Sequence, residues 1–257
     1  MVAGRVILLA ALVALPARAA LAQAPAAPPA PAASSSTAGR TQVSVDVGSQ
    51  AKASSFSDAF DVPLYLENEH VATDYPGPGG IFVSFAARYR LWKQMTVGVG
   101  VSAFTDKADA SVEAKLPHPF FDNQFRTVDG TVSAERHELN VYPTVGWLVP
   151  LSSSVSLAVN AGPSIMTVKQ GFVTDVKFSE AYPYDTATFT GATVKDSSKT
   201  AVGIYAGADV SWMFSKHAGV GGAVQFSRAT VKEKLGDRTV SIDAGGAQFG
   251  GGVRFVF

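Results

Sequence analysis

Cysteine is absent, and with it go disulfide staples, thiol catalysis and thiolate metal sites. An excess of charge is absent too. There are 21 Lys and Arg against 21 Asp and Glu, with no basic block of the kind phosphates demand, so nucleic acid is excluded as a partner. No apolar run approaches the ~20 residues of a spanning helix. The stretch from Val6 to Leu15 is about half that length; it follows Arg5 and precedes the small residues Ala17, Ala19, Ala20 and Ala22. That order predicts a secretory signal peptide over residues 1–22, cleaved after Ala22. Residues 23–39 are mostly Ala, Pro and Ser with no apolar period, so they predict an extended, disordered tether that buries no core. Removing the signal takes away Arg5 and Arg18 and leaves a slightly acidic mature chain.

Helical periodicity is also missing. From Thr41 onward apolar residues recur at every second position, which makes residues 40–257 one all-β domain. Strands are expected at residues 41–52, 80–91, 95–106, 134–149, 155–169, 200–214, 218–232 and 240–257, about eight in all. The connections alternate in length. Residues 92–94, 150–154 and 215–217 are short turns, whereas 53–79, 107–133, 170–199 and, more modestly, 233–239 are long. Transmembrane barrels have short periplasmic turns and long outer loops, and an even strand number leaves both termini on the periplasmic side. The expectation is therefore an antiparallel up-and-down transmembrane β-barrel of about eight strands, in a bacterial outer membrane, with periplasmic N- and C-termini.

Facing follows from parity, because successive side chains on a strand point to opposite sides of the sheet. Val155, Leu157, Val159, Ala161 and Ile165 alternate with Ser156, Ala158, Asn160, Gly162 and Ser164. A soluble sandwich shows the same alternation with its apolar face inward, so parity alone does not choose between lipid and core. Two features favour lipid. Trp92, Trp147 and Trp212 fall at or beside the three short turns, with Phe214, Phe255 and Phe257 at strand ends of the same side, as one ring of an aromatic girdle would. Charges of both signs, Asp46, Arg88, Arg90, Glu138, Asp209 and Arg254, take the parity opposite to the apolar rows. In a narrow lumen they must pair, since an isolated ion removed from water is costly. Glu138 and Asp209 with Arg88, Arg90 or Arg254 are thus a candidate interior network.

Three stretches now carry a resemblance: the aromatic end Val253-Arg254-Phe255-Val256-Phe257, the strand-turn-strand unit from Tyr89 through Trp92-Lys93-Gln94 to Gly100, and the Gly-rich closing strand Gly245 to Gly252. Over roughly residues 41–257 the chain resembles the small outer-membrane β-barrel proteins, similar in plan to the eight-stranded OmpA and OmpX type. The resemblance implies the barrel architecture, and its terminal Phe implies recognition by the barrel-assembly machinery during biogenesis. The connections around residues 117–130 and 181–197 exceed those of the compact members.

Chemistry is sparse. His70, His118, His137 and His217 are not spaced with one another or with carboxylates as metal ligands would be. Glycine clusters at residues 219–222 and 250–252 lie inside strands, with no helix after them to cradle a phosphate. No catalytic, cofactor-binding or metal-binding residue is expected. The long connections are rich in aromatics: Phe56, Phe60, Tyr65 and Tyr75, then Phe120, Phe121 and Phe125, then Tyr182, Tyr184 and Phe189. They suit a surface ligand. The function expected is an integral barrel in contact with outer-membrane lipid, with a structural or surface-interaction role and no catalysis. The alternatives are a narrow passive pore for small solutes and a lipid-modifying enzyme built on His137 beside Ser133.

Overall fold

A computed structural model describes residues 40–51, 55–77, 79–235 and 238–257. The signal peptide and tether expected at residues 1–22 and 23–39 lie outside the described residues. Among the described residues, ten antiparallel strands follow in chain order: β1 Thr41–Gln50, β2 Phe56–Leu64, β3 Glu67–Tyr75, β4 Ile81–Trp92, β5 Met95–Pro117, β6 Phe125–Pro150, β7 Val155–Glu180, β8 Ala187–Met213, β9 Ala218–Leu235 and β10 Arg238–Val256. Eight of them close a ring. β4 through β10 pair each with the next, and β1 joins the two ends, with Val45 opposite Phe85 on β4 and Val253 on β10. Closure leaves the ring no free edge. β2 and β3 form a hairpin beside it, attached where His70 to Asp74 pair with Ser111 to Lys115 of β5.

The ring is inside out relative to a soluble protein. Ile81 and Phe85 on β4, Val145 and Trp147 on β6, Val159 and Ile165 on β7, Val202 and Ile204 on β8, and Phe249 and Val253 on β10 are all exposed. Between them, Ser44, Asp46, Ser84, Thr96, Ser102, Asn140, Ser164, Asp209, Gln225 and Arg254 are buried. The exposed apolar rows end together. Thr105, His137 and Lys169 are neighbours across β5, β6 and β7, and Thr167 faces Thr200 on β8. The rim continues at Arg228 on β9 and Asp243 on β10, which are joined at 2.9 Å. On β6 the outward apolar row runs from Leu139 to Val149, about 34 Å along the strand. At the ~40° tilt of such barrels this makes a band roughly 26 Å tall, close to the ~25 Å of membrane barrels.

Beyond the rim the faces exchange roles. On β5, Ala110, Val112, Ala114 and Leu116 are buried, while Lys107, Asp109, Ser111, Glu113 and Lys115 face out. Strand pairing thins there as well. β6 pairs with β7 only from Arg136 and Gln170 toward the short turns, and β8 with β9 only from Ile204 and Arg228. The sheet β2-β3-β5-β6 and the β7–β8 hairpin instead close over an apolar core of Val71, Val112, Leu116, Val128, Val173 and Val176. The β9–β10 hairpin joins through Val240 and Ile242 beside Tyr75 and Phe172.

The expected loops are thereby corrected. Residues 107–117, 125–133, 170–180 and 187–199 are strand, residues 53–79 contain a hairpin, and short turns at 118–124 and 181–186 join the lengthened strands. The aromatics expected on those loops divide. Phe56 stacks on Tyr75 at 4.5 Å with Phe172 against its edge, and Phe60 and Phe189 pack on the neighbouring core.

Candidate functional site

Two regions concentrate polar chemistry: the lumen of the ring and the tip of the extension. Three layers fill the lumen. Nearest the short turns, Arg254 is fully buried; its Nη2 lies 2.7 Å from Asp46, and its Nε donates to Asp209 at 2.9 Å. Arg88 approaches the other oxygen of Asp209 at 3.6 Å. Gly221 makes the arginine possible, since a Cβ there would stand 2.9 Å from its Nε. Above this layer, Tyr142 and Tyr205 stack across the lumen at 3.8 Å. Tyr205 donates to Gln225, whose amide donates to Gln248 at 2.7 Å, and Gln248 donates to Gln50 at 2.6 Å. Gly100 leaves room for the Tyr142 ring, which would otherwise meet a Cβ at 2.3 Å. A third layer pairs Arg136 with Glu138 at 2.6 Å, and the Gly245 N–H donates to Glu138 at 3.0 Å.

Of the five charges expected to form one network, the structure groups Asp209, Arg254 and Arg88, and adds Asp46. Arg90 is half-buried on the same face of β4 as Arg88. Glu138 differs from expectation: it belongs to the separate upper layer and answers Arg136. The signal for Arg136 was available, because residues two apart on a strand share a face. A cavity of about 40 Å³ lies in the lumen against Asp46, Arg88, Tyr142, Asn160, Tyr205 and Asp209, room for a few waters. Trp92, Trp147, Trp212, Phe214, Phe255 and Phe257 are all exposed, and the ladder places Trp92 and Trp147 either side of Met95 and Phe255 beside Ala218, at the short-turn end.

His137 stands in the rim. Its Nδ1 lies 3.2 Å from the Thr105 hydroxyl and its Nε2 3.8 Å from Glu135, which also meets Lys107 at 3.2 Å. Ser133 faces Asp109 across the ladder, four residues from His137. Among the described residues no three His, Asp or Glu side chains are grouped to hold a metal ion.

At the tip, three turns are tied together by one buried group. Arg126 of β6 donates to Glu180 of β7, to the Tyr184 carbonyl at 2.9 Å and to the Pro117 carbonyl at 2.8 Å. The Tyr65 hydroxyl, from the β2–β3 turn, donates to the same Glu180. Burial alone would push the Glu180 carboxyl up, but the bonds from Tyr65 and Arg126 hold it below the usual carboxylate range. The Asn123 N–H donates to Glu67 at 3.0 Å, and Phe120 packs edge-on to Tyr184 at 5.5 Å. His118 is buried under this surface, its Nδ1 accepting the Phe120 N–H at 3.1 Å.

Lower in the extension, Glu69 is buried with Oε1 lacking a protein partner. Burial, with Asp175 nearby, pushes its carboxyl up to about 6 from 4.5. A carboxyl raised in the folded state costs stability wherever it is ionised. The penalty is therefore full above pH ~6, shrinks as pH falls through that value, and vanishes below about 4.5. Glu69→Gln is expected to stabilise the extension at pH 7.5 by about 2 kcal/mol and to leave it unchanged at pH 4.5. Amide hydrogen exchange of β3 at the two pH values checks this; an equal gain at both would show that Glu69 is not the titrating group.

No protein-family model and no curated protein matches the chain. Solved structures similar to it include Neisserial surface protein A, 11% identical over 84% of this chain and 97% of its own, at a TM-score of 0.44. The outer membrane protein OprG from Pseudomonas aeruginosa is 12% identical over 85% of this chain and 95% of its own, at 0.45. The outer membrane protease OmpT from Escherichia coli is 8% identical over 86% and 98%, at 0.42. Likeness at this level transfers no residue roles.

Proposed function

We propose that this chain is an integral outer-membrane β-barrel with a structural and surface-contact role and no catalytic step, its ring held in lipid and its extension standing outside the cell. The observation that carries the proposal is the inversion along β5 and β6: apolar-out and polar-in within the band, polar-out and apolar-in beyond it. A sheet wholly in water has no reason to expose Ile81, Phe85, Val145 and Val202 while burying Arg254, Asp46 and Asp209. In lipid both choices lower the free energy, and the closed ladder satisfies the backbone where water is lacking. The termini then lie on the periplasmic side with the short turns, and the exposed Trp92, Trp147 and Trp212 meet the inner interface.

A passive pore fits less well, because Tyr142, Tyr205, Gln225, Gln248 and Gln50 bridge the lumen and the extension seals its outer end with apolar side chains. Eight strands leave an interior that side chains just fill. Purified protein in planar lipid bilayers is expected to give no stable conductance steps. Reproducible single-channel steps would overturn the closed lumen. Recovery of the mature protein from the soluble periplasm would overturn the membrane barrel itself.

A further inference from the structure

The tip of the extension presents Tyr65, Leu66, Phe120, Phe121 and Tyr182 to solvent, Leu66 without any cover at all. These side chains come from three turns that the Arg126–Glu180 group locks together, so they form one preorganised surface. The carboxylates of Glu67, Asp122 and Asp185 stand at its edge; Glu67 accepts the Asn123 N–H at 3.0 Å and Asp185 lies 3.8 Å from Nε2 of the buried His118, while the arginine beneath, Arg126, is buried and neutralised by Glu180. An anionic surface would therefore be repelled. Aromatic faces combined with carboxylates attract a quaternary ammonium, which the rings bind through their negative faces.

We infer that the tip docks on a bilayer of choline-headgroup lipid other than the one that holds the barrel. The inference rests on the membrane reading above, and distance selects the second bilayer. From the rim at Thr105 to Pro117 is roughly 40 Å of strand, too far for the tip to bend back to its own band. Protrusion selects a soft interface: single side chains as exposed as Leu66 and Tyr182 need no complementary pocket in a membrane. Leu66, Phe120 and Phe121 enter the acyl boundary, Tyr65 and Tyr182 sit among the headgroups, and the carboxylates of Glu67, Asp122 and Asp185 face the choline cations.

The test uses the full-length mature protein in nanodiscs of choline-free bacterial lipid, mixed with sucrose-loaded vesicles of pure phosphatidylcholine or pure phosphatidylglycerol. Retention on phosphatidylcholine is expected to exceed that on phosphatidylglycerol at least tenfold, and soluble phosphocholine is expected to compete. The variant Leu66→Ser, Phe120→Ser, Phe121→Ser is expected to lose the retention at least tenfold. Should that variant unfold the tip, Asp122→Asn with Asp185→Asn, expected to weaken binding severalfold, serves in its place. Equal retention on both lipids, no competition by phosphocholine, or capture by decalysine peptide without retention on phosphatidylcholine would each overturn the inference, the last in favour of a basic protein partner. Failure of the protein to enter nanodiscs would instead overturn the barrel reading on which it rests.

Discussion

Arg254→Leu is expected to lower the unfolding free energy of the barrel by about 3–5 kcal/mol, the range for removing one partner of a buried ion group. Arg254 is fully buried and answers two carboxylates, Asp46 and Asp209, which are themselves almost wholly buried. Without it the two carboxylates share a low-dielectric lumen with Arg88, which stands 3.6 Å from Asp209, too long for a direct hydrogen bond. Deleting the whole group should cost far less than deleting its centre, because the penalty lies in the uncompensated charge and not in the lost bonds. Asp46→Asn with Asp209→Asn should therefore recover a large part of what Arg254→Leu loses. Denaturant titration of protein folded into lipid vesicles gives the comparison. A loss at Arg254 no larger than at the exposed Asp109→Asn would place the arginine in water and dissolve the inner layer.

The ring was legible because one rule, alternation with apolar residues on a single parity, holds along every strand inside the band. Ile81, Val83 and Phe85 or Val155, Leu157 and Val159 mark their face without help from anywhere else in the chain. The extension was not legible, and β5 shows why. Val97, Val99 and Val101 occupy the odd positions, but from Phe104 onward the apolar residues move to the even ones, and Lys107, Asp109, Glu113 and Lys115 take over the odd. The period of two never breaks; the solvent outside the sheet changes from lipid to water, and the preferred face changes with it. A strand expected to keep one apolar parity ends at that point, so its continuation resembled a charged loop. The lumen was half legible for a related reason. Parity told which charges face inward, but depth along the tilted strands decides which of them meet, and it sends Glu138 to Arg136 and Asp209 to Arg254. Arg126 and Glu180, which order the tip, lie 54 residues apart on different hairpins, and no local pattern announces their pairing.

Substitutions at neighbouring positions of β6 separate lipid from a dry protein core on the outer face. Val145 is exposed near the middle of the band, opposite Val97 on β5 and Ala161 on β7, while Thr144 faces the lumen cavity beside Asp46 and Asp209. Val145→Lys is expected to cost about 2–4 kcal/mol, the penalty for a lysine at the bilayer midplane, where its stem must snorkel far to reach an interface. A packed protein core would impose a comparable cost, so charge alone does not discriminate. Bulk does. Lipid chains rearrange around a larger apolar side chain, so Val145→Phe should change stability by less than about 0.5 kcal/mol. A core built to native density would instead be overpacked by the same change, at about 1–3 kcal/mol. Thr144→Phe should behave in the opposite way and lose that amount, because the stacked Tyr142 and Tyr205 leave no such freedom inside. Measured together in lipid vesicles, the expected order is loss at Val145→Lys and Thr144→Phe and near-neutrality at Val145→Phe. If Val145→Phe proves as damaging as Val145→Lys, then Val145 packs against protein and the exposed apolar band is a buried interface.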